Sequence, residues 1–270
     1  MISIPFFDDF ALLSQYDQNS VEREILLALQ NSPQTYSYRS VDELKFELSL
    51  RREIVAASRE LYRSGMSFAV FEQAKANPDF WTITSNGGFR QKEGVKGSAA
   101  ISDIFINGRQ YATECATAMV IVYYKALLNL LGAERFDALF GNIYLMNWDI
   151  QEPLLREVGT PRSVAQHLIG DRAYFNNPDV SPDVPWWQGE NVIVLPDSLY
   201  YGHGIGIQIA DEIIRVLNSQ RKEDATRSAY LMNTAARPSF RKLFDATRQS
   251  APVTSPIVWL PFPPPITSRA

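Results

Sequence analysis

A single cysteine, Cys115, stands in a chain of 270 residues. No intrachain disulfide can form, so folding requires no oxidising compartment. There are two histidines, His167 and His203, and neither falls into a metal-ligand cluster. No glycine-rich phosphate loop or dinucleotide motif occurs. Gly202-His-Gly-Ile-Gly206 is too short and wrongly placed to cradle a phosphate. Charge of neither sign dominates: 26 basic and 30 acidic side chains leave a formal net charge of −4, which gives no sign of a nucleic-acid partner. No apolar run reaches membrane-spanning length without interruption. The opening residues, Met1-Ile-Ser-Ile-Pro-Phe-Phe-Asp-Asp, carry acids where a secretory signal carries Lys or Arg. The expectation is a soluble protein, synthesised in the cytoplasm without a signal peptide. There is no internal repeat.

What remains has an ordinary globular make-up. Hydrophobic residues form 46% of the chain, enough at this length for one substantial core. Residues 1–39 read as mixed and polar, with Pro5 and Pro33 as breakers. Ser40-Val-Asp-Glu43 is a capping box that starts a long helix, with Leu44, Leu48, Val55 and Tyr62 at helical spacing and Gly65 as its stop. Residues 66–100 read as irregular, with a strand at 80–84 and a turn at 86–88. A helix over 113–131, capped by Thr113 and ended by Gly132, is apolar nearly all round and so belongs inside the domain. Strands are expected at 142–148 and 191–195, separated by a loop-rich stretch over 150–189. Pro196-Asp-Ser turns the chain into a second strand running to 208, and an amphipathic helix follows over 210–222. Six of the sixteen prolines fall in the last 20 residues, which excludes helix or central strand there. The division expected is a catalytic domain over 1–245 and a disordered or surface-bound proline-rich tail over 246–270.

Cys115 is the first candidate for chemistry. Only the thiolate is a good nucleophile, and a helix N-terminus favours negative charge through its free N–H groups and aligned dipoles. The same N–H groups can hold the oxyanion of a carbonyl under attack. A lone cysteine is equally well an inert, buried apolar side chain. Glu114 precedes it and suits the helix dipole, though neighbours i and i+1 diverge on a helix. Glu190 lies in Trp186-Trp-Gln-Gly-Glu-Asn, where two tryptophans would desolvate a carboxylate and raise its pKa toward that of a usable base. A solvated loop acid is the alternative. His203, between Gly202 and Gly204, is the histidine a Cys–His pair would use. His167 sits in a polar stretch. Trp148, Trp186 and Trp187, with Tyr201 beside Tyr200, could wall an apolar channel or belong to the core.

Three stretches together resemble the protein-glutamine gamma-glutamyltransferases of endospore-forming bacteria. They are Tyr111-Ala-Thr-Glu-Cys-Ala-Thr-Ala-Met-Val-Ile-Val-Tyr-Tyr124, Trp187-Gln-Gly-Glu-Asn-Val-Ile-Val-Leu195 and Tyr201-Gly-His-Gly-Ile-Gly206. Weaker likeness runs through Glu43-Leu-Lys-Phe-Glu-Leu-Ser-Leu-Arg51, Ile54-Val-Ala-Ala57 and Ser228-Ala-Tyr-Leu231, so that residues 35–240 are covered. The likeness is loose over 150–185. Asn147-Trp148-Asp149 also stands where the family carries Asp-Trp-His.

The resemblance implies an α+β fold, a single domain with a papain-like core and a buried nucleophile helix packed on an antiparallel sheet. It implies Cys115 as nucleophile, Glu190 as its partner, Glu114 as a partial substitute and His203 as the histidine after the strand. It implies no metal or cofactor, and protein partners, the glutamine- and lysine-bearing proteins of the spore coat. The reaction expected is acyl transfer through a cysteine thioester, with loss of ammonia and formation of an isopeptide crosslink. A channel walled by Trp148, Trp186, Trp187 and Tyr201 would exclude water, the competing nucleophile. A cysteine peptidase or amidase on the same core, and a catalytically inactive coat protein, are the alternatives.

Overall fold

The structure, a computed structural model, describes residues 1–5 and 12–249. Positions 250–270, most of the expected tail, lie outside the described residues; positions 246–249 close the last helix.

Helix α1, Val21–Asn31, starts at Ser20, whose side chain accepts from the Arg23 N–H. Helix α2, Val41–Ser64, starts where the capping box placed it. The Ser40 hydroxyl accepts from the Glu43 N–H at 3.2 Å. Glu43 reaches back one residue further than expected, to the N–H of Arg39 at 2.8 Å. The helix stops at Gly65, whose φ of +80° a side chain would strain. Parallel strands β1, Ser67–Phe68, and β2, Ala112–Thr113, form a short ribbon. Between them lies α3, Gly97–Ile106, and directly after β2 comes α4, Cys115–Leu131. Twelve of the seventeen residues of α4 are buried, and α2 packs along it more extensively than any other helix pair. Helix α5, Ala133–Leu139, follows the Gly132 break.

The main sheet combines β3 (Arg172–Asn176), β4 (Gly189–Val194), β5 (Leu199–Gly202), β6 (Gly206–Ile209) and β7 (Tyr230–Leu231) in the order β6-β5-β4-β3-β7, antiparallel throughout. All six residues of β4 are buried. Alternation sends Ile193 into the core shared with α2 and α4. Val192 and Val194 face the other way, into a smaller cluster with Ile213 and Leu217 of α6, Ala210–Asn218. Helix α7, Phe240–Gln249, closes the described chain against α2. This is the α+β arrangement expected, with the helix that begins at Cys115 buried against an antiparallel sheet.

A buried ion network fixes the sheet to α2. Arg51, fully buried, donates to Glu47 at 2.8 Å and to Asp171 at 2.9 Å, and Arg237 takes the other Asp171 oxygen at 2.6 Å. Asp171 is thereby committed immediately before β3 begins. No helix among the described residues is long and apolar enough to cross a membrane.

Several elements differ from the sequence reading. Helix α1 falls within 1–39, read as mixed and polar; Val21, Ile25, Leu26 and Leu29 carry its helical spacing, and Pro33 follows its end. Helix α3 has no capping side chain to announce it, since Lys96 makes no cap bond. Thr113 ends β2, so the N-cap of α4 is Glu114. Only Tyr144–Leu145 is strand within 142–148, because Asn147 turns at φ +48°. Strand β3 lay hidden in the supposed loop 150–189. The strand expected through 208 breaks at His203 into β5 and β6. The turn at 196–198 is real, with Asp197 and Ser198 both at positive φ, as a tight hairpin between twisted strands requires. The helix after it ends at Asn218 rather than at 222.

Candidate active site

Cys115 is the first residue of α4 and half-buried, delivered there by the β1–β2 ribbon. The carboxylate of Glu114 caps the helix, accepting from the N–H groups of Ala116 at 2.5 Å and Thr117 at 2.7 Å. The donors expected to favour a thiolate are therefore occupied by a carboxylate. The consequence reverses the sequence expectation. Burial pushes the Cys115 thiol up to about 12, and the charges of Glu190 and Glu114 push the same way. Asn191 works against them, donating from Nδ2 to Sγ at 3.3 Å. At rest the cysteine is a thiol and needs a base.

Glu190, on β4, is 3% exposed. Its Oε1 accepts from the Gly204 N–H at 3.0 Å. The turn at 202–204 closes over it, and a Cβ on Gly202 would stand 2.6 Å from Oε1. Burial raises its pKa to about 8; the Gly204 bond opposes this and the charge of Glu114 adds to it. The elevation expected from flanking tryptophans thus has another source, enclosure by a glycine turn. Trp186 is 47% exposed, on a short 3-10 turn before β4. Trp187, on the same turn, packs into the smaller apolar cluster.

His203 bonds elsewhere than to the thiol. Its Nε2 donates to the Ser67 carbonyl on β1 at 3.0 Å, and its Nδ1 lies 3.3 Å from the buried Tyr201 hydroxyl. Burial lowers its pKa, which keeps the ring neutral. The imidazole ties the turn over Glu190 to the ribbon that leads into Cys115. His167 bonds to the Thr234 carbonyl at 3.1 Å.

Three neighbours of the thiol escaped the sequence reading as site residues. Asn191 was visible only as part of a motif. Arg172 and Tyr174 lie on β3, within the supposed loop. Tyr174 pairs with Asn191 in the sheet register, and its burial raises the phenol to about 12, with Cys115 and Glu190 acting in the same sense. Trp148 lies under the Arg172 guanidinium, 4.3 Å from carbon to ring centroid. A polar Arg and Asn inside buried strands were the available signal. Among the described residues no three His, Cys, Asp or Glu side chains gather to hold a metal ion.

The geometry offers a half-buried thiol and a carboxylate whose charge reaches it, poised near neutrality: the parts needed for acyl transfer through a thioester. A family model described as protein-glutamine gamma-glutamyltransferase matches residues 1–247. A protein of that name from Halalkalibacterium halodurans is 44% identical over 230 residues, 85% of this chain and 80% of that one. One from Bacillus cereus is 40% identical over 245 residues, 90% of this chain and 88% of its own length. The solved structure of a transglutaminase from Geobacillus stearothermophilus, without its C-terminal extension, is 44% identical. It superposes with a TM-score of 0.72, over 77% of this chain and 98% of that one.

Proposed function

The chain belongs to the protein-glutamine gamma-glutamyltransferase family, and from that premise we propose how its residues divide the work of transglutamination. Cys115 is the nucleophile and Glu190 its base. Glu190 ionises near pH 8 while the thiol, left alone, holds its proton far above neutrality. As sulfur attacks the side-chain amide of a protein glutamine, the thiol proton passes to the Glu190 carboxylate. The Cys115–Glu190 pair keeps one negative charge throughout, which avoids adding a second to it. Glu190 then returns the proton to the departing amide nitrogen, and ammonia leaves the thioester. A neutral lysine amine attacks the thioester carbonyl next and gives a proton to the same carboxylate; the C–S bond breaks, the isopeptide leaves and the carboxyl returns the proton to the sulfur. Glu114 acts as the lesser carboxylate because its oxygens cap α4.

His203 positions the turn that holds Glu190. Trp148, Trp187, Trp186 and Tyr201 are proposed to border the approach of the two side chains and to limit water, the competing nucleophile. The unit carrying this chemistry is proposed as residues 1–245, with the proline-rich stretch 246–270 outside it. The substrates proposed are endospore coat proteins. The likeness of the three motifs to endospore-former enzymes supports that reading, as do the relatives from Bacillus.

The observation that carries the mechanism is the buried Glu190 carboxyl, whose charge reaches a thiol with no histidine bonded to it. Incorporation of a fluorescent primary amine into a glutamine-rich protein tests it. Wild type labels, Cys115→Ala does not, and Glu190→Ala loses most activity. Cleavage of peptide amides without amine incorporation would replace transfer by hydrolysis. Labelling of isolated spore coats by the purified enzyme tests the substrate reading, and coats that take up no amine overturn it.

A further inference from the structure

Arg172 is 4% exposed, yet no Asp or Glu among the described residues pairs with its guanidinium. A buried charge without a counter-charge is costly, so its retention calls for a physical reason. The adjacent carboxylate, Asp171, is taken up by Arg51 and Arg237. Arg172 instead donates from Nε to the Val158 carbonyl at 2.9 Å and from Nη1 to Asn191 Oδ1 at 2.9 Å, over the face of Trp148. A guanidinium can only donate, so it claims the oxygen of the Asn191 amide. The amide nitrogen must then face the other way, and it donates to Cys115 Sγ at 3.3 Å.

We propose that Arg172 is a positioning residue for the Cys115 nucleophile: through Asn191 it turns a hydrogen-bond donor toward the sulfur, and its unpaired charge gains a partner when the thiol proton leaves. The proposal rests on Cys115 being the nucleophile. The step it serves is the transfer of the proton from Sγ to the Glu190 carboxylate. Negative charge moves off Glu190, under the glycine turn, and onto the sulfur, which Asn191 links to the cation. No other bond changes in that step. Trp148 acts at one remove, as the aromatic platform that holds the guanidinium in dry surroundings.

The sole cysteine makes the test direct, because alkylation by iodoacetamide reads Cys115 alone. The rate is measured from pH 6 to 10 in wild type, Arg172→Met, Arg172→Gln and Asn191→Leu. Arg172→Gln keeps amide donors for Asn191 and Val158 and loses the charge, so it serves if Arg172→Met fails to fold. The expected result is an alkylation rate about tenfold lower at each pH across this range, as a rise of about one unit in the thiol pKa requires. The kcat for amine incorporation falls in parallel, with KM for the glutamine substrate little changed. Arg172→Gln combined with Asn191→Leu is no worse than the poorer single variant, because both act on one contact. A folded Arg172→Gln with the wild-type alkylation rates overturns the proposal, and so does full additivity in the double variant. If Cys115→Ala still crosslinks, the nucleophile assignment itself falls. If Cys115→Ala is inert but the alkylation rates do not change, only the role of Arg172 falls.

Discussion

Gly202 stands where any side chain would meet Glu190: a Cβ there would fall 2.6 Å from Oε1 and 2.8 Å from Cγ. The backbone of β5 therefore forms one wall of the carboxylate's chamber, and glycine is required for closeness rather than for its φ. Gly202→Ala is expected to displace the carboxylate while leaving the sheet paired. Activity should fall about 100-fold, the lower end of the range for losing a positioned acid–base group. Amine-incorporation kinetics and a thermal melt check this together. Full activity in Gly202→Ala would mean the carboxylate need not sit where it does.

The raised pKa of Glu190 predicts how stability varies with pH. A group whose folded pKa lies above its unfolded value favours the fold below the unfolded value, and that contribution is lost as pH rises through the folded one. For Glu190 the window runs from about 4.5 to about 8. Glu190→Gln removes this loss. The variant should be the more stable protein at pH 9, by something on the order of 5 kcal/mol, and the two should converge below the unfolded value. Thermal melts across the range check this; parallel curves would mean Glu190 ionises as easily folded as unfolded.

The same ionisation predicts the activity profile of the wild type. Single-turnover thioester formation should rise with pH to a plateau, with an apparent midpoint near 8 that belongs to the Cys115–Glu190 pair jointly. A flat profile between pH 6 and 9 would exclude Glu190 as the base.

These predictions draw on residues that differ in how far the sequence revealed them. Cys115 drew notice as the sole cysteine at the start of an apolar helix, whereas only the family resemblance set Glu190 apart from a solvated loop acid. The long helices were legible where a cap and a glycine stop marked their ends, as at Ser40 and Gly65. Helix α3 was not, since it begins at an uncapped lysine. The charge state of Cys115 was inverted in the sequence reading, because a helix N-terminus helps a thiolate only if its donors are free, and Glu114 occupies two of them. Arg172 and Asn191 meet only through strand pairing across a long loop, and no local pattern reports that.

Glu114 does two jobs that mutation can separate. Glu114→Ala removes a helix cap and should cost about 1 kcal/mol of stability, with a smaller loss of activity than Glu190→Ala. Glu114→Ser restores a capping oxygen without a carboxylate. It should recover the stability but not the activity. Recovery of both would reduce Glu114 to a cap.

His203 and Glu190 compete for the role of partner to Cys115, and their hydrogen bonds give them different fates on mutation. The imidazole is bound to the Ser67 carbonyl and lies beside the Tyr201 hydroxyl, and burial keeps it neutral. A neutral ring whose Nε2 proton is held by a carbonyl is poorly placed to take one from the thiol. His203→Ala should loosen the turn over Glu190, costing about 1–2 kcal/mol for the lost bonds, and slow catalysis severalfold. Glu190→Ala should slow it by roughly 100-fold or more. His203→Gln, with an amide donor for the Ser67 carbonyl, should recover most of what His203→Ala loses, which a proton carrier could not do. An inactive His203→Gln beside an active Glu190→Ala would instead make the site a conventional cysteine–histidine pair.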